Sequence, residues 1–375
     1  MKKLLFVFGT RPEAIKLAPL INSIKENNKF EVKVCVTSQH KEMLSQVLDV
    51  FDITPDYDLN VMSNNQSLNS LTSKIIKRLE EIIIDYEPQG VIVHGDTTTT
   101  FSAAWAAFNT QKKIIHIEAG LRTHDIKSPW PEEANRKLTS IITDLHFSPT
   151  KGAKENLEKE GVKEHKIFVT GNTVIDALLA TKETIEKKEN LQLSLKKKMP
   201  FIQEEKKIIL VTGHRRENFG KGLRNICNAL SKISTEIPKV QIIFSVHLNP
   251  NVQETVMQEL SEHKNIILCE PFDYLAFVYL MMKAKLILTD SGGIQEEAPS
   301  LGVPVLVMRS KTERPEGIDA GTIGLVGTNE KKIYDEVLSL LTNDKKYKEM
   351  SNAKNPYGDG KACQKIVKVL ENEFI

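Results

Sequence analysis

Three carboxylates stand where short apolar runs give way to polar turns: Asp96 in His94-Gly95-Asp96-Thr97, Glu118 in Glu118-Ala119-Gly120, and Glu132 in Pro131-Glu132-Glu133. Gathered in a partly dry cleft, carboxylates push one another's pKa upward, so one can act as acid and another as base. Any one of them alone is more simply a helix cap or a surface ion pair; only the set carries weight. Cations form a matching group. Arg11 and Lys16 follow Gly9-Thr10 at the start of a helical pattern, where positive charge opposes the helix dipole and so suggests an anionic ligand. Gly213-His214-Arg215-Arg216-Glu217-Asn218 repeats the arrangement in the second half, and Arg314 adds a further guanidinium. Ser291-Gly292-Gly293 precedes the helical pattern 294–300, so its N–H groups can converge on a phosphate, while Glu297 can accept both hydroxyls of a ribose. The plainer alternatives are a connecting glycine turn and a glutamate favoured by the dipole.

Weaker signals point elsewhere. Asp56-Tyr57-Asp58 matches a D-x-D metal pattern, but it follows Thr54-Pro55 in a turn-like stretch and ranks low as a metal site. No H-E-x-x-H, Walker A or G-x-G-x-x-G run occurs, so zinc-protease, P-loop and simple dinucleotide readings lose their usual support. His116 shares a strand face with Glu118 by alternation and reads as structural.

The elements that must position these residues are short β-branched runs alternating with helical patterns, as in βαβ units. The first half carries runs at 3–8, 31–37, 90–94, 113–118, 144–148 and 167–170; the second at 207–212, 240–246, 265–269, 286–289, 303–308 and 324–327. The stretch 181–206 is rich in lysine and glutamate and reads as a solvated connection. The expected fold is α/β, with two Rossmann-like domains and an active site in the cleft between them. Residues 1–172 form the first domain, 173–206 the connection and 207–358 the nucleotide-binding domain, with a helix at 359–375 packing back on the first. Ligands of parallel sheets bind beyond the carboxyl ends of strands, which is where the polar residues above fall.

The chain has 375 residues, and its 51 Lys+Arg against 49 Asp+Glu leave a net charge of +2, so bulk electrostatics favour neither nucleic acid nor a membrane surface. Cys35, Cys227, Cys269 and Cys363 are widely spaced, as core residues in a reducing cytosol would be. The apolar run after Met1-Lys2-Lys3 ends at Gly9, too short for a signal peptide, and no run approaches the ~20 apolar residues of a membrane span. A soluble cytoplasmic protein is expected.

Gly9-Thr10-Arg11-Pro12-Glu13-Ala14, His94-Gly95-Asp96-Thr97, Ile117-Glu118-Ala119-Gly120-Leu121-Arg122, Pro129-Trp130-Pro131-Glu132-Glu133-Ala134-Asn135-Arg136, Gly213-His214-Arg215-Arg216-Glu217-Asn218 and Asp290-Ser291-Gly292-Gly293-Ile294-Gln295-Glu296-Glu297 occur in this order. Together they resemble the bacterial non-hydrolysing UDP-N-acetylglucosamine 2-epimerases, from Lys3 to about Gly360. The resemblance implies a glycosyltransferase-B-like fold, a homodimer, and interconversion of UDP-N-acetylglucosamine with UDP-N-acetylmannosamine, without metal or redox cofactor. It assigns Asp96, Glu118, Glu132 and His214 to catalysis, and Arg11, Lys16, Phe277, Ser291, Gly292, Gly293, Glu297 and Arg314 to the nucleotide sugar. Phe272 stands where some relatives carry glutamine. Gln39, Met43 and Gln46 match the region where some members bind a second, activating UDP-N-acetylglucosamine, although an arginine expected near Asn65 is absent. The implied route is elimination of UDP to a 2-acetamidoglucal and its re-addition. A glycosyltransferase, a hydrolysing epimerase and a non-catalytic UDP-sugar sensor are the rival expectations.

Overall fold

The computed structural model describes residues 1–375 apart from residues 39, 40, 64, 65 and 214, and apart from the side chains of residues 41–43 and 216. The chain divides into two compact units, Met1–Ala177 with Tyr357–Ile375, and Leu178–Pro356.

In the first unit the described residues form a seven-stranded parallel sheet from β1 (Lys2–Phe8), β2 (Phe30–Val36), β3 (Tyr57–Asp58), β4 (Gly90–His94), β5 (Lys113–Ile117), β6 (Leu145–Ser148) and β7 (Ile167–Val169). Their order is β3-β2-β1-β4-β5-β6-β7. In the second unit the sheet is six-stranded, from β8 (Lys207–Gly213), β9 (Val240–Val246), β10 (Ile266–Cys269), β11 (Ala284–Thr289), β12 (Val305–Val307) and β13 (Ile323–Leu325), ordered β10-β9-β8-β11-β12-β13. Both are doubly wound, Rossmann-like sheets, with the strand order reversing between β1 and β4 and between β8 and β11.

Helices cover both faces, which is why the central strands are apolar throughout rather than alternating: Leu4 to Phe8 and all of β9 are buried. The helix Leu68–Tyr86 buries Leu71, Ile75, Leu79, Ile83 and Tyr86, a stripe at helical spacing against β1 and β4. Truncating a member such as Leu79 to alanine would cost ~2–5 kcal/mol. The connecting segment 173–206, with its lysine- and glutamate-rich stretch 181–206, is less solvated than its composition suggests. It forms the helices Thr173–Lys187 and Glu189–Lys198 and buries Ile185, Leu195 and Met199. The C-terminal helix Ala362–Phe374 packs against Arg11–Glu26; Asn27 Nδ2 donates to Glu371 at 2.7 Å, and Phe374 meets Phe30 edge-on. Among the described residues no helix is long and apolar enough to cross a membrane.

Candidate active site

In the first unit the polar residues collect at the strand ends flanking the β1/β4 reversal. Thr10 caps the helix Arg11–Glu26 and forms a capping box with Glu13, and Pro12 occupies the first turn where its missing N–H costs nothing. Glu13 is buried and accepts from Gly9 N (3.1 Å), Thr10 N (2.8 Å), Thr10 Oγ1 (2.7 Å) and, across the reversal, Thr97 Oγ1 (2.8 Å). Burial pushes its carboxyl upward while these donors pull it back. The effect is to lock the loop after β1 to the loop after β4. Gly9 is fixed by space, since a Cβ there would lie 2.0 Å from Thr37 Oγ1.

β4 and β5 are neighbours, with His94 opposite Ile117, so Asp96 and Glu118 follow adjacent strands as expected. Glu118 sits at φ 62°, a conformation that is strained for a residue with a Cβ and concentrates at functional sites. Its carboxylate, 9% exposed, is ion-paired with Lys16, and its Oε2 accepts from Asn172 Nδ2 at 2.7 Å. Lys16, expected on the nucleotide sugar, is therefore also the counter-ion of Glu118. Asp96 is ion-paired with Arg136, and Asn135 Nδ2 donates to its carbonyl at 2.9 Å. Arg136 in turn pairs at 3.0 Å with buried Glu133, which accepts the N–H groups of Thr123 and His124. Glu132, half-buried, opens the helix Glu132–Ile142, and Arg11, also partly exposed, opens its own helix.

Two histidines lie beneath. His94 Nε2 is 4.0 Å from Glu118 Oε2 and has no hydrogen-bond partner among the described residues; burial lowers its pKa to about 3. His116 Nε2 lies 2.7 Å from the Gly95 carbonyl, which can only accept, so this nitrogen carries the proton. Burial holds His116 at about 4, as a neutral structural group.

The second unit repeats the logic around β8 and β11. Asp290, directly after β11, is buried and accepts Arg215 N–H at 2.9 Å and an Asn218 Nδ2 hydrogen at 3.2 Å, tying the loop after β8 to the glycine turn. Ser291 stands at the N-cap position of the short helix Gly292–Glu297, which contains Gly292, Gly293 and Glu297. Arg314 is ion-paired with buried Glu296, and a Cβ on Gly292 would lie 3.8 Å from its Nη2. Arg309, in the loop after β12, binds Glu217 of the loop after β8 at 2.6 Å and Glu313 of its own loop at 2.5 Å, so two strand-end loops are cross-linked. Phe277 is half-buried on the helix Tyr274–Lys283, whose cap Asp273 accepts Ala276 N–H at 2.8 Å.

The catalytic candidate His214 lies outside the described residues, as do Gln39 and the side chain of Met43; Gln46 is exposed on the helix Lys41–Val50. The D-x-D pair serves the sheet edge: Asp56 accepts Val34 N–H at 2.8 Å, and Asp58 accepts Ser38 Oγ at 2.6 Å and Asn60 N–H at 2.9 Å. No cluster of three or more metal-ligating side chains occurs among the described residues. Sequence reasoning passed over Arg136, Asn172, Asp290, Glu296 and Arg309. Asn172 was open to the rule applied elsewhere, since it follows directly from the run 167–170.

Two doubly wound sheets, each with charged residues at its topological switch point, define a two-domain α/β protein of the kind that binds ligands beyond the carboxyl ends of its strands. A sequence model of the family described as UDP-N-acetylglucosamine 2-epimerase matches residues 22–371. The UDP-N-acetylglucosamine 2-epimerase of Escherichia coli (strain K12) is 54% identical over 373 residues, covering 100% of this chain and 99% of the relative. The Yersinia pestis enzyme of that name is 55% identical with the same coverage. The crystal structure of UDP-GlcNAc 2-epimerase from Neisseria meningitidis bound to UDP-GlcNAc superposes with a TM-score of 0.91 at 50% identity, over 99% of this chain and 100% of that one. The chain belongs to the UDP-N-acetylglucosamine 2-epimerase family.

Proposed function

We propose that the protein interconverts UDP-N-acetylglucosamine and UDP-N-acetylmannosamine by eliminating and re-adding UDP. The C2 proton of the sugar is not next to a carbonyl, so its direct removal would leave a poorly stabilised carbanion. Departure of UDP from C1 removes that obstacle. In the forward half, the C2–H and C1–O bonds break, a C1=C2 bond forms, one carboxylate takes the proton, and UDP leaves with the electron pair. In the return half, a second group delivers a proton to the opposite face of C2 and UDP adds back to C1.

Asp96, Glu118 and Glu132 supply the proton-transferring groups, with His214 as a further catalytic residue. Arg11, Lys16 and Arg314 oppose the charge growing on the diphosphate, together with the N–H groups of Ser291, Gly292 and Gly293. Glu297 takes the ribose and Phe277 the uracil. The observation that carries this reading is the pairing of Glu118 with Lys16 and Asn172, beside Asp96 with Arg136, at the ends of adjacent strands. Two carboxylates held by cations yet only partly exposed suit proton transfer next to an anionic leaving group.

The working assembly is a homodimer in the cytoplasm, its product supplying surface polysaccharide. In support, Phe101, Trp105 and Phe108 stack along the helix Thr98–Asn109, and the helix Glu132–Ile142 packed against it leaves Leu138 and Ile141 exposed, apolar side chains of the kind that meet a partner. Binding of a second UDP-N-acetylglucosamine as activator near Gln39, Met43 and Gln46 belongs to the same proposal.

The test is to incubate purified protein with UDP-N-acetylglucosamine, without metal or acceptor, and follow the anomeric NMR signals. Growth of the UDP-N-acetylmannosamine signal supports the reading. Free N-acetylmannosamine would make it a hydrolase, and unchanged substrate would leave only a binding protein.

A further inference from the structure

Of the groups around Glu118, Asn172 is given no chemical step above, yet it is held by several bonds of its own. It is buried, and it follows β7 through Thr170 and Gly171. Its Nδ2 donates to Glu118 Oε2 at 2.7 Å, its Oδ1 accepts Val174 N–H at 3.2 Å, and its own N–H donates to the Tyr357 carbonyl at 2.7 Å. Tyr357 begins the segment that returns from the second unit to complete the first.

The return segment is clamped at this point by more than one contact. Gly171, at φ 91°, approaches so closely that a Cβ there would lie 3.2 Å from Gly358 Cα and 3.3 Å from Tyr357 O. Asp176, one turn into the helix Thr173–Lys187, accepts the N–H groups of Ala362 (3.2 Å) and Cys363 (2.9 Å). Asn172 thus has little freedom to move, and the carboxylate it holds inherits that rigidity.

We infer that Asn172 is a positioning residue for Glu118, fixing the plane of its carboxylate through Oε2. This rests on the proposal that Glu118 takes part in proton transfer. An amide suits the task because it donates a hydrogen bond without adding charge, so it orients the carboxylate while lowering its proton affinity less than a second cation would. With Lys16 and Asn172 both on Oε2, Oε1 is turned toward Gly95, at the end of β4 beside Asp96. The charged and titratable groups near Glu118 include Lys16 from the first helix, His94 from β4 and His116 from its own strand, with Asp96 in the turn after the neighbouring β4.

Asn172→Asp is nearly isosteric and keeps the acceptor for Val174 N–H, so it preserves the fold while setting a second carboxylate against Glu118. The two would share a proton. The limb of the kcat/KM pH profile that Glu118 controls, acid-side as base or alkaline-side as acid, then moves to higher pH by about one unit or more. Asn172→Ala should lower kcat ~10-fold or more with KM changed less than ~3-fold, and change the residual kcat of a Glu118→Gln protein less than ~2-fold. A loss through general loosening would instead scale activity equally at every pH and persist in the Glu118→Gln background. A wild-type pH profile for Asn172→Asp, or an equal Asn172→Ala loss with and without Glu118, overturns the inference alone. Wild-type kcat in Glu118→Gln overturns it together with the reading on which it rests.

Discussion

The described residues of β4, β5 and β6 bury three histidines, His94, His116 and His146, and this makes the first unit acid-sensitive to an extent that can be worked out. Burial holds His94 at about 3, His116 at about 4 and His146 at about 3, against 6.5 for an unconstrained imidazole. Between these values the unfolded chain binds protons that the folded chain does not, so stability falls as pH falls. Taking pH 7 to pH 5, each histidine withdraws roughly 2 kcal/mol, and the three together about 5–6 kcal/mol, a figure that scarcely changes whether the folded value is 3 or 4. Glu13 and Asp176, whose carboxyls burial pushes upward, titrate in the opposite sense and blunt the wild-type profile. The informative quantity is therefore a difference. Neither nitrogen of His146 makes a well-formed hydrogen bond among the described residues, although the Thr143 backbone lies close, so His146→Leu should leave stability at pH 7 little changed or improved. It should reduce the loss between pH 7 and pH 5 by roughly 2 kcal/mol. The assay is urea unfolding followed by tryptophan fluorescence, because Trp105 and Trp130, the chain's two tryptophans, both lie in the first unit. Parallel stability-against-pH curves for wild type and variant would refute the reasoning.

Other consequences are separable. Asp96→Asn should keep UDP affinity within about 3-fold while lowering kcat ~100-fold or more, as loss of an acid or base does; a wild-type rate removes Asp96 from the chemistry. Arg309→Met frees Glu217 and Glu313 from their common partner and should weaken UDP binding about 10-fold by calorimetry, close to the ~1.5 kcal/mol of one charge-assisted hydrogen bond. Unchanged affinity would mean that the nucleotide loops need no such tie. Ile141→Glu places a charge among the exposed apolar side chains proposed to meet a partner and should yield monomers in sedimentation analysis; an undisturbed dimer moves the interface elsewhere.

The sheets were legible because doubly covered strands must be apolar, and runs such as 90–94 and 240–246 coincide with β4 and β9. The two-residue β3 was not, because Tyr57–Asp58 is too short to carry a pattern and, after Thr54-Pro55, reads as part of a turn. The run 303–308 shortened to Val305–Val307, since Pro304 has no N–H to offer a ladder. Strand-end logic found Asp96 and Glu118, and the structure brings those two strands side by side. It could not find their partners. Lys16 is 102 residues from Glu118, Arg136 is 40 from Asp96, and nothing local in a sequence records such a pairing. Lysine and glutamate after residue 180 suggested solvent, yet Ile185, Leu195 and Met199 are spaced to bury one side of each helix.

Epimerisation of UDP-N-acetylglucosamine in deuterated water, read by proton NMR of the product, addresses the central claim most directly. Elimination and re-addition require the C2 hydrogen to leave on a carboxylate and a solvent-derived one to arrive on the other face, so UDP-N-acetylmannosamine should carry deuterium at C2 from the first turnovers. Product that retains its original C2 hydrogen would contradict the account.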